Sequence, residues 1–522
     1  MRRRRELLGA AAAVSVLAAC AIVGHAAGTM GGKAVSGGGT GRWPAARTRM
    51  PASPVSVLAA SAPGDLTARF ARTLFATAPV VVVAAPGDAA LHAAAGAARA
   101  AHAPLLLFAP GKAASLATAV RALHPAAVLA VGLTAAGRGA LTAGLPGVRV
   151  VSSARELPAA GVPVPLRRVA VLVPVPATAP APGQAGSTGE ASAEITAVSM
   201  TARAADAAVI GVAGTDPRAD PAAIAGLARQ RPSAVIAVGA QFGPVARLAS
   251  RLAVAESGRQ LPGGGQVMFP GRRLVALYGH PGTPGLGVLG RQDLAASIVR
   301  ARSIAAQYRP LSSVPVVPAF EIIATVAEAS PGPHGTYSYE TPASDLLPWV
   351  RQAIADGLYV VLDLQPGRAS LLQQAEDYRS LLELPEVGLA LDPEWKLKPG
   401  QRPLRQIGHV DIGEVNSVVR WLAALTARTH LPQKLLVLHQ FKLAMIGGER
   451  DLDTSHDDLS IVIHMDGQGT PGTKQATWNA VTAAAPHGVF FGWKNFLVKD
   501  HPMLSPSQTM TKTPVPVMIT YQ

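Results

Sequence analysis

At 522 residues the chain is long enough for two or three hydrophobic cores. Its only cysteine, Cys20, excludes an internal disulfide and leaves stability to core burial. The net charge of +15 favours anionic polymers or lipids as partners, while the lack of Lys/Arg clusters interleaved with aromatics argues against nucleic acid.

In chain order, Arg2 to Arg5 come first, then a short apolar stretch ending Leu17-Ala18-Ala19-Cys20, the layout of a secretion signal. The Leu-Ala-Ala-Cys ending resembles the bacterial lipobox, which implies a lipoprotein signal peptide over residues 1–20 and a lipid on Cys20. The resemblance implies an extracytoplasmic protein held at the cell membrane by that lipid. A plain signal peptide and an uncleaved anchor are the alternatives. Arg4-Arg5-Glu6-Leu7-Leu8 loosely resembles a twin-arginine signal without its usual Ser or Thr.

Residues 21–60, rich in Gly, Ala, Ser and Pro, read as a flexible tether. From 61 to 257, strand-like and helix-like pieces alternate. The strand candidates are PVVVVAA (79–85), PLLLF (104–108), AVLAV (127–131), VAVLV (169–173), AVIGV (208–212) and AVIAVG (234–239). This alternation predicts a doubly wound, Rossmann-like α/β region with parallel strands. Residues 176–192 read as a surface loop, and 258–272, with Pro262-Gly263-Gly264-Gly265, as a linker.

The first cycle carries Gly87-Asp88-Ala89-Ala90-Leu91, then Ala103-Pro104-Leu105-Leu106-Leu107, then His124-Pro125-Ala126-Ala127-Val128 leading into Val131-Gly132. It resembles a type 2 cell wall-binding repeat over residues 78–140, with a fainter echo at 206–253. It departs from that family where Leu133 follows Gly132 instead of a second glycine. The resemblance implies that this region binds cell-wall polymer or another surface glycan. A generic α/β layer is the alternative.

From Arg273 onward come eight short apolar runs: 274–280, 314–321, 358–365, 387–395, 434–441, 459–466, 488–495 and 515–522. Continuous runs of this length suit strands buried on both faces of a parallel sheet. Eight units in residues 273–522 predict a (β/α)8 TIM barrel, whose active site would lie at the C-terminal strand ends. Gly285-x-Gly287-x-x-Gly290 follows a barrel strand with no suitable acidic residue downstream, so no dinucleotide, and no other cofactor, is expected.

The strand ends carry the candidate chemistry. Leu391-Asp392-Pro393-Glu394-Trp395 ends the fourth run. Glycosidases commonly pair two carboxyls, and Glu394 and Asp392 with Asp466, Asp363 and Glu321 are the candidates. Trp395, Trp493 and Tyr521 suit stacking on sugar rings, and His439, His464 and Tyr278 stand at neighbouring strand ends as further substrate contacts.

The Asp392-x-Glu394 ending is similar to that of chitinase-type barrels, which implies Glu394 as the acid on the glycosidic oxygen and Asp392 as its helper. The resemblance spans about five residues. Val387, Leu389 and Ala390 stand where that family has further acidic residues, and the sixth run ends His464-Met465-Asp466 instead of Tyr-Asp. The seventh offers Trp493 and Lys494 where glycosidases of the larger clan place a catalytic Glu.

Three readings stay open: a glycoside-hydrolase-like barrel acting on a surface polysaccharide, a non-catalytic binding or scaffold barrel, and a metal-dependent hydrolase using His280, His439 and His464. No metal is expected, because the His-x-His after strand one and the Asp after strand eight that amidohydrolases on this fold use are replaced by Tyr278-Gly279-His280 and Thr520-Tyr521-Gln522.

Overall fold

The computed structural model describes residues 43–59, 64–175 and 188–522. The signal peptide, Cys20, the tether up to 42 and most of the 176–192 loop lie outside these residues. Among the described residues, no helix is long and apolar enough to cross a membrane.

The N-terminal region contains β1 (Val55–Leu58), β2 (Val80–Ala84), β3 (Leu105–Leu107), β4 (Ala127–Val131), β5 (Arg149–Val151), β6 (Val169–Val175), β7 (Ala208–Ala213) and β8 (Ala234–Val238). These form two four-stranded parallel sheets, ordered β3-β2-β4-β5 and β1-β8-β6-β7. Each is covered on both faces, which is why strands such as Val80–Ala84 are apolar at every position. Val81 and Val83 face a core with Phe70, Val120 and Leu141, whereas Val80 and Val82 face Leu91, Ala94 and Ala98. The first of these cores continues into β6 and β8 through Val169, Val171 and Ile236, so the two sheets share it.

Two expectations are corrected here. Residues 43–59 are not tether: β1 pairs along its length with β8, and Trp43 bridges to Ala160. Residues 258–272 are not a loose linker either. Leu261, Met268 and Phe269 plug the bottom of the barrel, and Arg272 donates to the carbonyls of Met268, Gly264, Val267 and Pro262.

The eight apolar runs become β9 (Arg273–Gly279), β10 (Val316–Ala327), β11 (Tyr359–Leu364), β12 (Val387–Leu391), β13 (Lys434–Gln440), β14 (Leu459–Met465), β15 (Phe490–Asn495) and β16 (Met518–Tyr521). All pair in parallel with their neighbours, and β9 pairs with both β10 and β16, which closes a TIM-barrel-like cylinder. A short strand, Ser338–Glu340, adds antiparallel to the far end of β10.

Side chains alternate across a strand, so every second residue enters the barrel. Leu274, Ala276, Val317, Ala319, Tyr359, Val361, Leu435, Val437 and Val462 fill its lower half with Met518. The intervening residues, such as Val275, Phe320, Leu362 and Leu438, pack outward against helices. Lower-barrel residues are apolar and the next inward positions are not. That change of chemistry along one register defines the site.

Candidate functional site

Continuing the inward register toward the C-terminal strand ends gives Tyr278, Glu321, Asp363, Asp392, His439, His464, Asp466, Lys494 and Thr520. All are buried. Burying so many ionisable groups together is costly unless they pair.

His439 organises the layer. Its Nε2 lies 2.9 Å from Glu321 Oε1 and 3.8 Å from Asp363 Oδ1. Its Nδ1 lies 3.2 Å from Asp466 Oδ2, at an angle short of a well-aligned hydrogen bond. Burial opposes the imidazolium, but Glu321, Asp466 and Asp363 outweigh that and hold His439 well above the ordinary histidine range. His464, whose ring centroid is 5.1 Å away, is driven the other way by burial and by His439 and Lys494, and stays neutral. The imidazole of His464 fits because its neighbour is Gly492: a Cβ there would stand 2.3 Å from His464 Cδ2.

Tyr278 donates its hydroxyl to Asp363 Oδ2 at 2.7 Å and accepts from Gln365 at 3.3 Å. Burial pushes Asp363 up to about 6, with His439 pulling down and Glu321 pushing up.

Above this layer opens a cavity of about 280 Å³, continuous with solvent, whose wall includes Tyr278, Asp392, Glu394, Trp395, Asp466 and Lys494. Asp392 caps the 3-10 turn Pro393–Trp395 by accepting from the Glu394 N–H at 3.2 Å, which fixes the Glu394 backbone beside it. Asp392, Glu394 and Asp466 each bring an oxygen within 4.8 Å of the others. Burial, then Asp466, pushes Glu394 up to about 7, against the pull of Lys494 and His439. Burial and Asp363 raise Asp392 well above the carboxylate range. Asp466 goes down instead, because the His439 contact and nearby Lys494 more than offset its burial.

Of the expected site residues, Glu394, Asp392, Asp466, Trp395 and Tyr278 meet at this cavity. Asp363, Glu321, His439 and His464 form the closed layer beneath it, supporting the mouth without lining it. Two residues are corrected. Trp493 points away from the mouth into a pocket with Met465, Trp478 and Leu504. Tyr521 also points outward, its hydroxyl 2.6 Å from that of Tyr308. Both occupy odd positions of strands whose even positions face inward, and the same parity identifies Lys494, which the expected set omitted.

His280 bonds Thr283 and Thr341 at 3.0 and 3.1 Å and does not join His439 and His464. Among the described residues, the group able to converge on a cation is the carboxylate trio, which contains no imidazole. Gly285, Gly287 and Gly290 lie in and between two 3-10 turns against β9, and a Cβ on Gly287 would meet Tyr278 O at 2.4 Å. Their role is close packing.

Compared with protein-family models, curated proteins and solved structures, the chain matches none.

Proposed function

We propose that the barrel is a glycoside hydrolase acting on a surface polysaccharide, with Glu394 as general acid and Asp466 as nucleophile. The observation that carries this reading is the opposed tuning of two converging carboxyls, Glu394 up to about 7 and Asp466 down. Environments that push paired groups apart separate an acid from a base. Their nearest oxygens lie within 4.8 Å, which suits the short carboxyl separation of roughly 5–5.5 Å found in retaining enzymes.

In this reading Glu394 passes its proton to the leaving glycosidic oxygen while Asp466 attacks the anomeric carbon. A glycosyl ester forms on Asp466. The Glu394 carboxylate then takes a proton from water, whose oxygen displaces Asp466 and restores both groups. His439 keeps Asp466 ionised, Asp392 positions Glu394, and Trp395 offers the sugar a stacking face. The trio's oxygens can also surround a cation, but no step here needs one.

The same reading has the protein held on the extracytoplasmic face of the cell membrane by a lipid on Cys20, outside the described residues. The two N-terminal sheets would be a Rossmann-like, cell wall-binding-repeat-like region that holds the barrel to its polymer. The lipobox-like ending and the net charge of +12 left after residues 1–19, with four Arg and one Glu, are removed from +15 support this.

A second reading, a binding barrel without catalysis, is favoured by one contact: Asp466 already serves as counter-ion to His439. Incubating the mature chain with a panel of cell-wall and capsular polysaccharides separates the two. Turnover that disappears in Glu394→Gln and Asp466→Asn supports the hydrolase. Binding without turnover by the unaltered protein removes it in favour of the binding barrel.

A further inference from the structure

The barrel buries three lysines, Lys434, Lys474 and Lys494. Buried ammonium groups are ordinarily paired. Lys434, at the bottom, donates to the carbonyls of Leu384, Pro385 and Val387. Lys474 donates to Asp500 and to the Lys494 carbonyl. Lys494 is different. Its ammonium lies 3.4 Å from the Tyr278 ring centroid and 5.5 Å from that of Phe496, and no carboxylate among the described residues comes within 4.0 Å. It faces the cavity that holds Glu394 and Asp466, and the exposed Lys499 lines the same wall. Tyr278 below it is tied to Asp363, so its aromatic platform is fixed.

A buried cation held by π-faces, with Asp363, Glu394 and Asp466 near enough to feel its charge but none within ion-pair distance, keeps a side open to the cavity for an anion that arrives with the substrate. We propose that the sugar unit seated in the cavity carries a carboxylate, received by Lys494 with Lys499 at the rim. The substrate class is then an acidic, uronate-type glycan. This rests on the glycan reading of the cavity but not on hydrolysis. It agrees with the basic balance of the chain: removing residues 1–19, with four Arg and one Glu, lowers the net charge from +15 to +12, which still favours approach of a polyanion. The carboxylates of the cavity, on the β12 and β14 ends, share its wall with the lysines of β15 and the loop after it and act on them through space, but none comes within 4.0 Å of either ammonium.

The experiment is calorimetric titration of the mature chain with glucuronate and galacturonate oligosaccharides, each beside its carboxyl-reduced counterpart. Reduction to the primary alcohol removes the charge and keeps the ring. The acidic form is expected to bind at least tenfold more tightly, with an affinity that falls as salt rises. Lys494→Met keeps the apolar stem over Tyr278 and should lower acidic binding to the level of the reduced sugar. Lys499→Ala, a change on the surface, should weaken it several-fold and covers the case in which the buried variant does not fold. Equal binding of acidic and reduced forms, binding of neither, or acidic binding unchanged in both variants overturns the proposal. Acidic binding without turnover leaves it standing while the hydrolase reading fails. Turnover confined to reduced or neutral glycans has the opposite meaning.

Discussion

Arg251 grips Asp457 with two nitrogens, Nε at 2.8 Å and Nη2 at 2.7 Å, and so ties helix Val245–Ala255 to the turn that enters β14. Arg218, itself buried, adds a 2.7 Å contact to the same carboxylate and a 2.8 Å contact to Asp216. The polar turn His456-Asp457-Asp458 is thereby the clamp between the N-terminal sheets and the barrel. Asp457→Ala takes from Arg251 both of these hydrogen bonds and from Arg218 one of its two carboxylates, and is expected to cost about 2–3 kcal/mol in urea unfolding, the range for hydrogen bonds to charged groups. Burial opposes the Asp457 charge, but Arg251 and Arg218 hold its pKa below the usual carboxylate value. Its stabilisation is therefore full above about pH 4 and lost as acid takes the pH through the lower folded value. Asp457→Ala should flatten that part of the acid-unfolding curve.

His439 predicts the opposite pH response. Its folded pKa is raised, so its contribution is full below the unfolded value of about 6.5 and disappears as pH climbs through the folded one. His439→Ala strands Glu321 and Asp466 without their cation and should destabilise by about 3–5 kcal/mol at neutral pH. Melting temperatures of the two proteins should converge as the buffer becomes alkaline.

If Glu394 is the acid, kcat/KM should decline above pH about 7 as that carboxyl ionises. The acid limb should fall at lower pH than an ordinary Asp would give, because Asp466 is depressed. Glu394→Gln is expected to lower kcat by roughly 10²–10⁴-fold and to remove the upper limb. A pH–rate profile of both proteins on one cleaved polysaccharide reads this directly.

The two tryptophans assigned by sequence to sugar stacking should separate cleanly. Trp395 is partly open at the cavity, so Trp395→Ala should weaken glycan binding with a stability loss of about 1 kcal/mol or less. Trp493 is fully buried against Trp478, at 5.5 Å between ring centroids, so Trp493→Ala should cost about 3–5 kcal/mol. Its binding constant should not change below the melting transition. Chemical denaturation and a binding isotherm on each variant suffice.

The barrel was legible because strands buried on both faces write uninterrupted apolar runs. All eight runs coincide with strands, although Val316–Ala327 extends six residues past its run. The site was half legible. Asp392, Glu394 and Asp466 could be found as polar residues closing apolar runs, but a strand end alone does not say which face a side chain takes. Register does. Gly492 lies beside His464 across β14 and β15, so Lys494 shares its inward face and Trp493 cannot. Asp363 and Glu321 were assigned to catalysis because their depth depends on barrel stagger, which no single strand reveals. The strand Val55–Leu58 was hidden for a compositional reason: four residues among Gly, Pro, Ser and Ala set no period of their own.

That strand also constrains how the chain can be made. Val55–Leu58 leaves the ribosome before either N-terminal sheet exists, yet its pairing partner is Ala234–Val238. At roughly 5–20 residues per second, the interval is about 10–40 s, during which the first sheet can form while β1 waits with its backbone unpaired. The second sheet is therefore completed late, by a segment held in reserve. A nascent chain arrested before residue 234 is expected to be cut by protease near Val55 and protected there once synthesis has passed β8.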